Sequence, residues 1–105
     1  MISIRFIKKE NLIVGFELEG HSGYAEQGSD IVCASVSSAA YMTANTITEI
    51  MGADAEISVD EAYMQMKLTS QNALKVQDIL RGFELHVSEL SKQYQRNIKV
   101  QNSEV

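Results

Sequence analysis

Proline is absent from this chain of 105 residues, and cysteine occurs once. With no proline, no Ser/Gly-rich linker and no low-complexity stretch, nothing marks a domain boundary, and no internal repeat is visible. The expectation is a single domain over residues 1–105, because two would each be too small to bury a proper core. One cysteine cannot form an internal disulfide, and a reducing compartment keeps it a thiol, so the purpose of Cys33 needs another explanation. Long hydrophobic runs are missing too. None approaches the roughly 20 apolar residues of a membrane span. Met1 leads into an alternating segment rather than the apolar stretch of a secretion signal, so a cytoplasmic protein with no membrane attachment is expected. Basic residues are in the minority: nine Lys and Arg against 14 Asp and Glu give a formal net charge of -5. That balance argues against nucleic-acid binding, which rests on clustered Lys and Arg, and suits a basic protein or peptide as partner.

What is present is a clear alternation of periods. Ile2, Ile4 and Phe6 alternate with Ser3 and Arg5, and Val14, Phe16 and Leu18 with Gly15, Glu17 and Glu19, the pattern of half-buried strands. Lys8-Lys9-Glu10-Asn11 between them reads as a hairpin turn. Gly20 to Ser29 carries three glycines and almost no apolar residues, which reads as a mobile loop. Asp30 is then placed to cap a helix, along which Val32, Val36, Ala39, Ala40, Thr43, Ile47, Ile50 and Met51 recur at spacings of three and four. Its other faces carry small residues such as Ala34, Ser35, Ser37, Ser38 and Ala44, which predicts a helix buried on most sides. Gly52 is a natural left-handed terminator.

Glu56 to Val59 and Tyr63 to Leu68 predict a second strand pair around Asp60-Glu61. Val76, Ile79, Leu80, Phe83, Val87, Leu90 and Tyr94 trace the apolar stripe of a second helix, opposite Lys75, Gln77, Asp78, Glu84, Glu89 and Lys92. Ile98 and Val100 suit a last short strand. The order ββαββαβ implies an α+β fold, a mixed or antiparallel sheet with two long helices packed on it.

Chemistry concentrates between the first strand pair and the first helix. Three residues after the presumed cap, Cys33 falls in the first helical turn. There, unsatisfied N–H groups and the helix dipole favour a thiolate, lowering a thiol from about 8.5 into the range of roughly 3.5 to 7.5 found for activated cysteines. The N–H groups of Cys33 and Ala34 are then candidates to receive the oxygen charge of an attacked carbonyl. His21 ends a strand just before the glycine-rich loop, and the loop returns the chain to Cys33 twelve residues later, so the two side chains can meet at the sheet's rim. Such a pair supplies an attacking sulfur and a proton for a leaving amine. Asp30 admits three readings: a plain cap, an anion that raises the thiol's pKa, or a hydrogen-bond partner that steadies the imidazolium of His21. Cys33 likewise has a bland reading, a small packed hydrophobe, and His21 that of a solvated turn residue. No close ligand pair such as Cys-x-x-Cys or His-x-x-x-His is present, so neither a metal nor a cofactor is expected. His86 lies off the apolar stripe and reads as an exposed residue without a role.

The stretch Gly20-His21-Ser22-Gly23-Tyr24-Ala25-Glu26-Gln27-Gly28-Ser29-Asp30-Ile31-Val32-Cys33-Ala34 closely resembles the signature of the ribosomal-processing cysteine protease Prp family: Gly-His, a glycine-containing loop, then Asp-Ile-Val-Cys-Ala. The likeness extends to size, element order and the Ser37-Ser38 stretch. It implies an endopeptidase that removes the N-terminal extension of a large-subunit ribosomal protein precursor of the bL27 class, with Cys33 as nucleophile, His21 as base and Asp30 in support. It also implies an accessory role for Ser37, a homodimer, and a mobile loop hinged at Gly20, Gly23 and Gly28. The cut follows a pair of aromatic residues in such enzymes, which calls for an apolar groove beside the thiol, with Tyr24, Tyr41 and Met42 as candidate lining. Two readings compete. One is a non-catalytic, dimeric, ribosome-associated binding module whose cysteine is merely packed; the other is a thiol-dependent acyl or thioester hydrolase using the same dyad.

Overall fold

The computed structural model describes residues 1–20 and 27–105, with backbone alone for residues 27–30. Strands β1 (Ile2–Lys9) and β2 (Leu12–Glu19) form the expected hairpin. Its turn is tighter than the sequence predicts, because Lys8 and Lys9 already pair with Ile13 and Leu12. Only Glu10 and Asn11 turn the chain, both with positive φ (51° and 71°). That mirror-image turn matches the right-handed twist of the strands it joins.

Strands β3 (Glu56–Asp60) and β4 (Tyr63–Lys67) form the second hairpin, and β5 (Ile98–Glu104) closes the chain. The sheet order is β3-β4-β2-β1-β5. Every neighbouring pair is antiparallel except β1 and β5, which run parallel with Ile2 opposite Ile98 and Ile4 opposite Val100. The sheet is therefore mixed, as expected. β5 runs four residues beyond Val100 because the polar segment Gln101 to Glu104 finds backbone partners along Arg5 to Lys8, a pairing that side-chain pattern cannot announce.

One face of the sheet is dry. Ile2, Ile4 and Phe6 of β1, Phe16 and Leu18 of β2 and Met64 and Met66 of β4 all join one buried cluster. Helix α1 (Gln27–Asn45) lies on this face through Val32, Val36, Ala40 and Ala44, each at most 2% exposed. That i, i+4 stripe fixes how the helix is rotated about its axis. The rest of its surface corrects the expectation of burial on most sides: Ala34, Ser37, Ser38, Tyr41, Met42 and Asn45 are all exposed. Ile50 and Met51 also depart from the apolar stripe, at 81% and 47% exposure. The cause is a π-helical turn over Thr46–Ile50, closed by Met51 N–H donating to the Thr46 carbonyl at 2.8 Å. An i+5 turn breaks the α phase, so residues that would have continued the stripe swing outward. Gly52 then stops the helix at φ 69°, as its type predicts.

A short helix, α2 (Ser70–Lys75), precedes the long amphipathic α3 (Gln77–Gln93). The sequence conceals α2 because Thr69 to Asn72 is a polar run, yet Thr69 caps it by accepting from Asn72 N–H at 3.2 Å. In α3, Val76 at the entry and Leu80, Phe83 and Val87 within it are buried as expected. Gln77 corrects its assignment to the solvent face: its amide exchanges two hydrogen bonds with the Ile13 backbone, at 3.0 and 2.8 Å, and so ties α3 to β2. All three phenylalanines of the chain meet where α3 crosses the sheet. Phe83 packs edge-on against Phe6 and Phe16, with ring centroids 5.5 and 4.8 Å away, the favoured geometry of aromatic pairs.

Two backbone positions test this framework. A Cβ on Gly15 would run into the Met66 carbonyl oxygen, so Gly15→Ala should cost more than about 1 kcal/mol. Ala62, in the turn between β3 and β4, holds φ 57°, a left-handed value that disfavours any residue with a Cβ. Ala62→Gly should therefore stabilise the fold by about 0.5–1 kcal/mol. Urea midpoints of the two variants check both signs.

Candidate active site

The stripe of α1 next to its buried one carries Cys33, Ser37 and Tyr41, spaced i, i+4, i+8 and therefore aligned. This row faces a pocket of about 140 Å³ at one end of the sheet. Ile2, Leu18 and Met64 make it apolar on the sheet side; Glu19, Gly20, Asp60, Ala62 and Tyr63 complete it where β2 ends and the β3–β4 turn begins. The rim is closed by Gly20 N–H donating to the Ala62 carbonyl at 3.0 Å. Gly20 has φ 96°, and a Cβ there would lie 2.6 Å from the Met1 carbonyl oxygen, so only glycine fits this corner.

Cys33 is half-buried, packed against the core on one side and lining the pocket on the other. Its place in the helix corrects the expectation. Because α1 begins at Gln27, Asp30 lies within the first turn rather than at the cap, and Gly28 is a helical residue rather than a loop glycine. Cys33 is consequently the seventh helical residue, beyond the four orphan N–H groups. The dipole weakens beyond the first turn, so a helix-end location does not support the N–H groups of Cys33 and Ala34 as oxyanion donors.

The remaining candidates divide. Ser37, Tyr41 and Gly20 line the pocket with Cys33. Met42 does not: one helical step on from Tyr41, it faces a groove between α1 and α3 lined also by Ser38, Ile79, Phe83 and His86. His86 is exposed, as its position off the stripe predicts. His21, Gly23 and Tyr24 lie outside the described residues, and Asp30 is described by its backbone alone. Among the described residues, no three His, Cys, Asp or Glu side chains are placed to hold a metal ion, and no helix is long and apolar enough to cross a membrane.

Tyr63 is a pocket residue that sequence reasoning missed, for in a strand of alternating residues it reads as ordinary surface. Its hydroxyl donates to Glu17 Oε2 at 2.9 Å; the same oxygen accepts from Gln65 Nε2 at 3.0 Å, while Glu17 Oε1 pairs with Arg5 Nη1 at 3.1 Å. The register explains the cluster, since Arg5, Glu17 and Gln65 are direct neighbours across β1, β2 and β4 on the sheet's outer face. The hydrogen bond to Glu17, followed by desolvation and the negative charges of Glu17 and Glu19, holds the phenol above its usual pKa of 10.0; Arg5 opposes. A raised folded-state pKa means that the neutral phenol is favoured on folding. The resulting stability is fully present below pH 10.0 and is lost as pH climbs through the raised value. Wild type should thus lose its stability advantage over Tyr63→Phe above pH 10, as read by urea midpoints across that range. Glu17→Gln should let Tyr63 ionise earlier in an absorbance titration.

With this geometry in hand, known proteins place the chain. The family model described as Cysteine protease Prp matches residues 1–99. The ribosomal processing cysteine protease Prp of Bacillus subtilis (strain 168) is 27% identical over 94 residues, covering 84% of each chain. Among solved structures, SMU.848 from Streptococcus mutans superposes with a TM-score of 0.89 at 28% identity, covering 100% of this chain and 96% of that one. The ribosomal processing protease Prp of S. aureus, crystallised with a covalently linked product peptide, shares the fold at a TM-score of 0.86 and 23% identity, over 98% of this chain and 100% of that one. A sheet rim with the chain's one cysteine set in a pocket wall, and a family match over nearly every residue, have one common reading: this chain belongs to the Prp family of cysteine proteases.

Proposed function

We propose that this protease removes the N-terminal extension of a bL27-class ribosomal protein precursor, with Cys33 as nucleophile and His21 as its base. The observation that carries the reading is the placement of the chain's sole cysteine in the wall of the rim pocket, beside Gly20, to which His21 is covalently joined. The Cys33 thiolate attacks the scissile carbonyl carbon. The C–N bond then breaks as the His21 imidazolium gives its proton to the departing amine, leaving a thioester on Cys33. A water deprotonated by His21 hydrolyses that thioester and releases the new carboxylate. Asp30 serves by steadying the imidazolium.

Several features support a ribosomal protein as substrate. The relative from B. subtilis is named for ribosomal processing, and the net charge of -5 suits a basic partner. The apolar side of the pocket suits an uncharged side chain next to the cut. The whole chain acts as one catalytic domain, in the cytoplasm where its substrate is made, and as a homodimer. Ser37, one turn beyond Cys33 in the pocket row, has an accessory role in seating the peptide.

Cleavage of the precursor, followed by mass spectrometry, tests the reading. Cys33→Ala should abolish cleavage while leaving the fold intact, and wild-type turnover in that variant would overturn the assignment. His21→Ala should lose at least ~10² in rate, as expected for removal of a general base. Asp30→Asn should slow turnover without unfolding the protein; unimpaired turnover would reduce Asp30 to a residue of the first helical turn.

A further inference from the structure

We propose that the free edge of β3 is a docking strand for the peptide to be cut: an extended, basic segment pairs with β3 as a further strand and runs from there into the pocket beside Cys33. The proposal rests on the reading of Cys33 as a nucleophile acting on a polypeptide. β3 ends the sheet, with β4 as its one neighbouring strand. Alternate residues of such a strand turn their N–H and C=O groups outward, a template that an extended chain can complete. All five residues of β3 are exposed, Ile57 and Val59 among them at 41% and 53%. These two lie on the inner face of the sheet, because they stand opposite Met66 and Met64, both members of the buried cluster. Met64 also lines the pocket. The apolar floor beside Cys33 thus continues across Met64 to Val59 and Ile57, and ends at open backbone.

Charge names the occupant. Between positions 54 and 61 stand Asp54, Glu56, Asp60 and Glu61, with no Lys or Arg. Glu56 has Lys67 opposite it in β4, so the acidic excess is greatest at Asp60 and Glu61, at the pocket end of the strand. A chain paired with β3 sets one row of its side chains beside Ile57 and Val59 and the other beside Glu56 and Asp60, which calls for apolar and basic residues in alternation. A second copy of this chain fits poorly. Two β3 strands paired antiparallel about Ser58 would bring Glu56 of each opposite Asp60 of the other, like charges in direct register.

Amide hydrogen exchange of the isotope-labelled Cys33→Ala protein, which cannot cut its ligand, reads strand addition directly. The probe is acetyl-Lys-Val-Lys-Val-Lys-Val-amide. At saturation it should slow exchange at alternate residues of β3 by about tenfold or more, as new backbone hydrogen bonds do. The same peptide with Glu for Lys should bind about tenfold more weakly, and Asp60→Asn/Glu61→Gln should narrow that gap to about threefold. N-methylation of the three valines and of the three lysines should differ about tenfold in effect, because only one of these sets can face β3. In cleavage of the precursor, Val59→Lys should raise KM about tenfold with kcat within about twofold, the mark of lost uniform binding. Exchange in β3 left unchanged by the peptide, or equal weakening by both N-methyl sets, would overturn the proposal while leaving the Cys33 reading in place. Protection present without peptide and growing with protein concentration would give the edge to a second copy and overturn it too. An unchanged KM in Val59→Lys would overturn the role of the edge in substrate binding. Peptide protection of β3 in a protein whose wild type does not cleave the precursor would uphold the strand site and remove the bL27 reading.

Discussion

The rotation of α1 about its own axis is the constraint on which the site depends. Val32, Val36, Ala40 and Ala44 are pressed against the sheet with essentially no exposed surface. On a helix, fixing one i, i+4 stripe fixes every other. The neighbouring stripe is therefore obliged to carry Cys33, Ser37 and Tyr41 along the pocket, and the opposite flank to carry Met42 toward α3. Chemistry at the rim is in this sense a consequence of packing at the core.

The sheet supplies the other half. Its inner face, with Phe6 and Phe16 gripping Phe83 of α3, supports the helices. Its outer face carries the Arg5, Glu17, Gln65 and Tyr63 network, made possible by antiparallel register that sets these residues side by side. The two faces meet at the end of β2, where Gly20 takes a backbone conformation closed to other residues and bonds to the turn at Ala62. That corner lies immediately before His21 in the chain, so the strongest local backbone constraint of the rim borders the proposed base.

Membership in a protease family bears directly on the readings that the residues alone left open. A packed cysteine in a binding module does not fit a family of enzymes, and a general acyl hydrolase does not fit one named for peptide cleavage. The structure adds a correction to the chemistry. Cys33 sits in the second turn of α1, so its reactivity cannot be credited to orphan N–H groups at a helix start. The proposed role of Cys33 therefore rests on the partnership with His21 and not on the helix end.

Alternation in Ile2 to Phe6 and Val14 to Leu18, the stripe from Val76 to Tyr94 and the stop at Gly52 were legible from residue order, because period and terminator are local properties of a chain. So was the identity of the one thiol. Residue order could not reveal that Gln101 to Glu104 form strand, that Gln77 ties α3 to β2, or that Ile50 turns to solvent, for each depends on a partner distant in sequence or on a shift of helical phase. Nor could it single out Tyr63, whose place in the pocket arises when β2 and β4 are set in register. Local pattern decided which elements form, whereas only the packed sheet and helices decided which side chains share a pocket, since that brings together residues far apart in the sequence, such as Ile2, Cys33 and Met64.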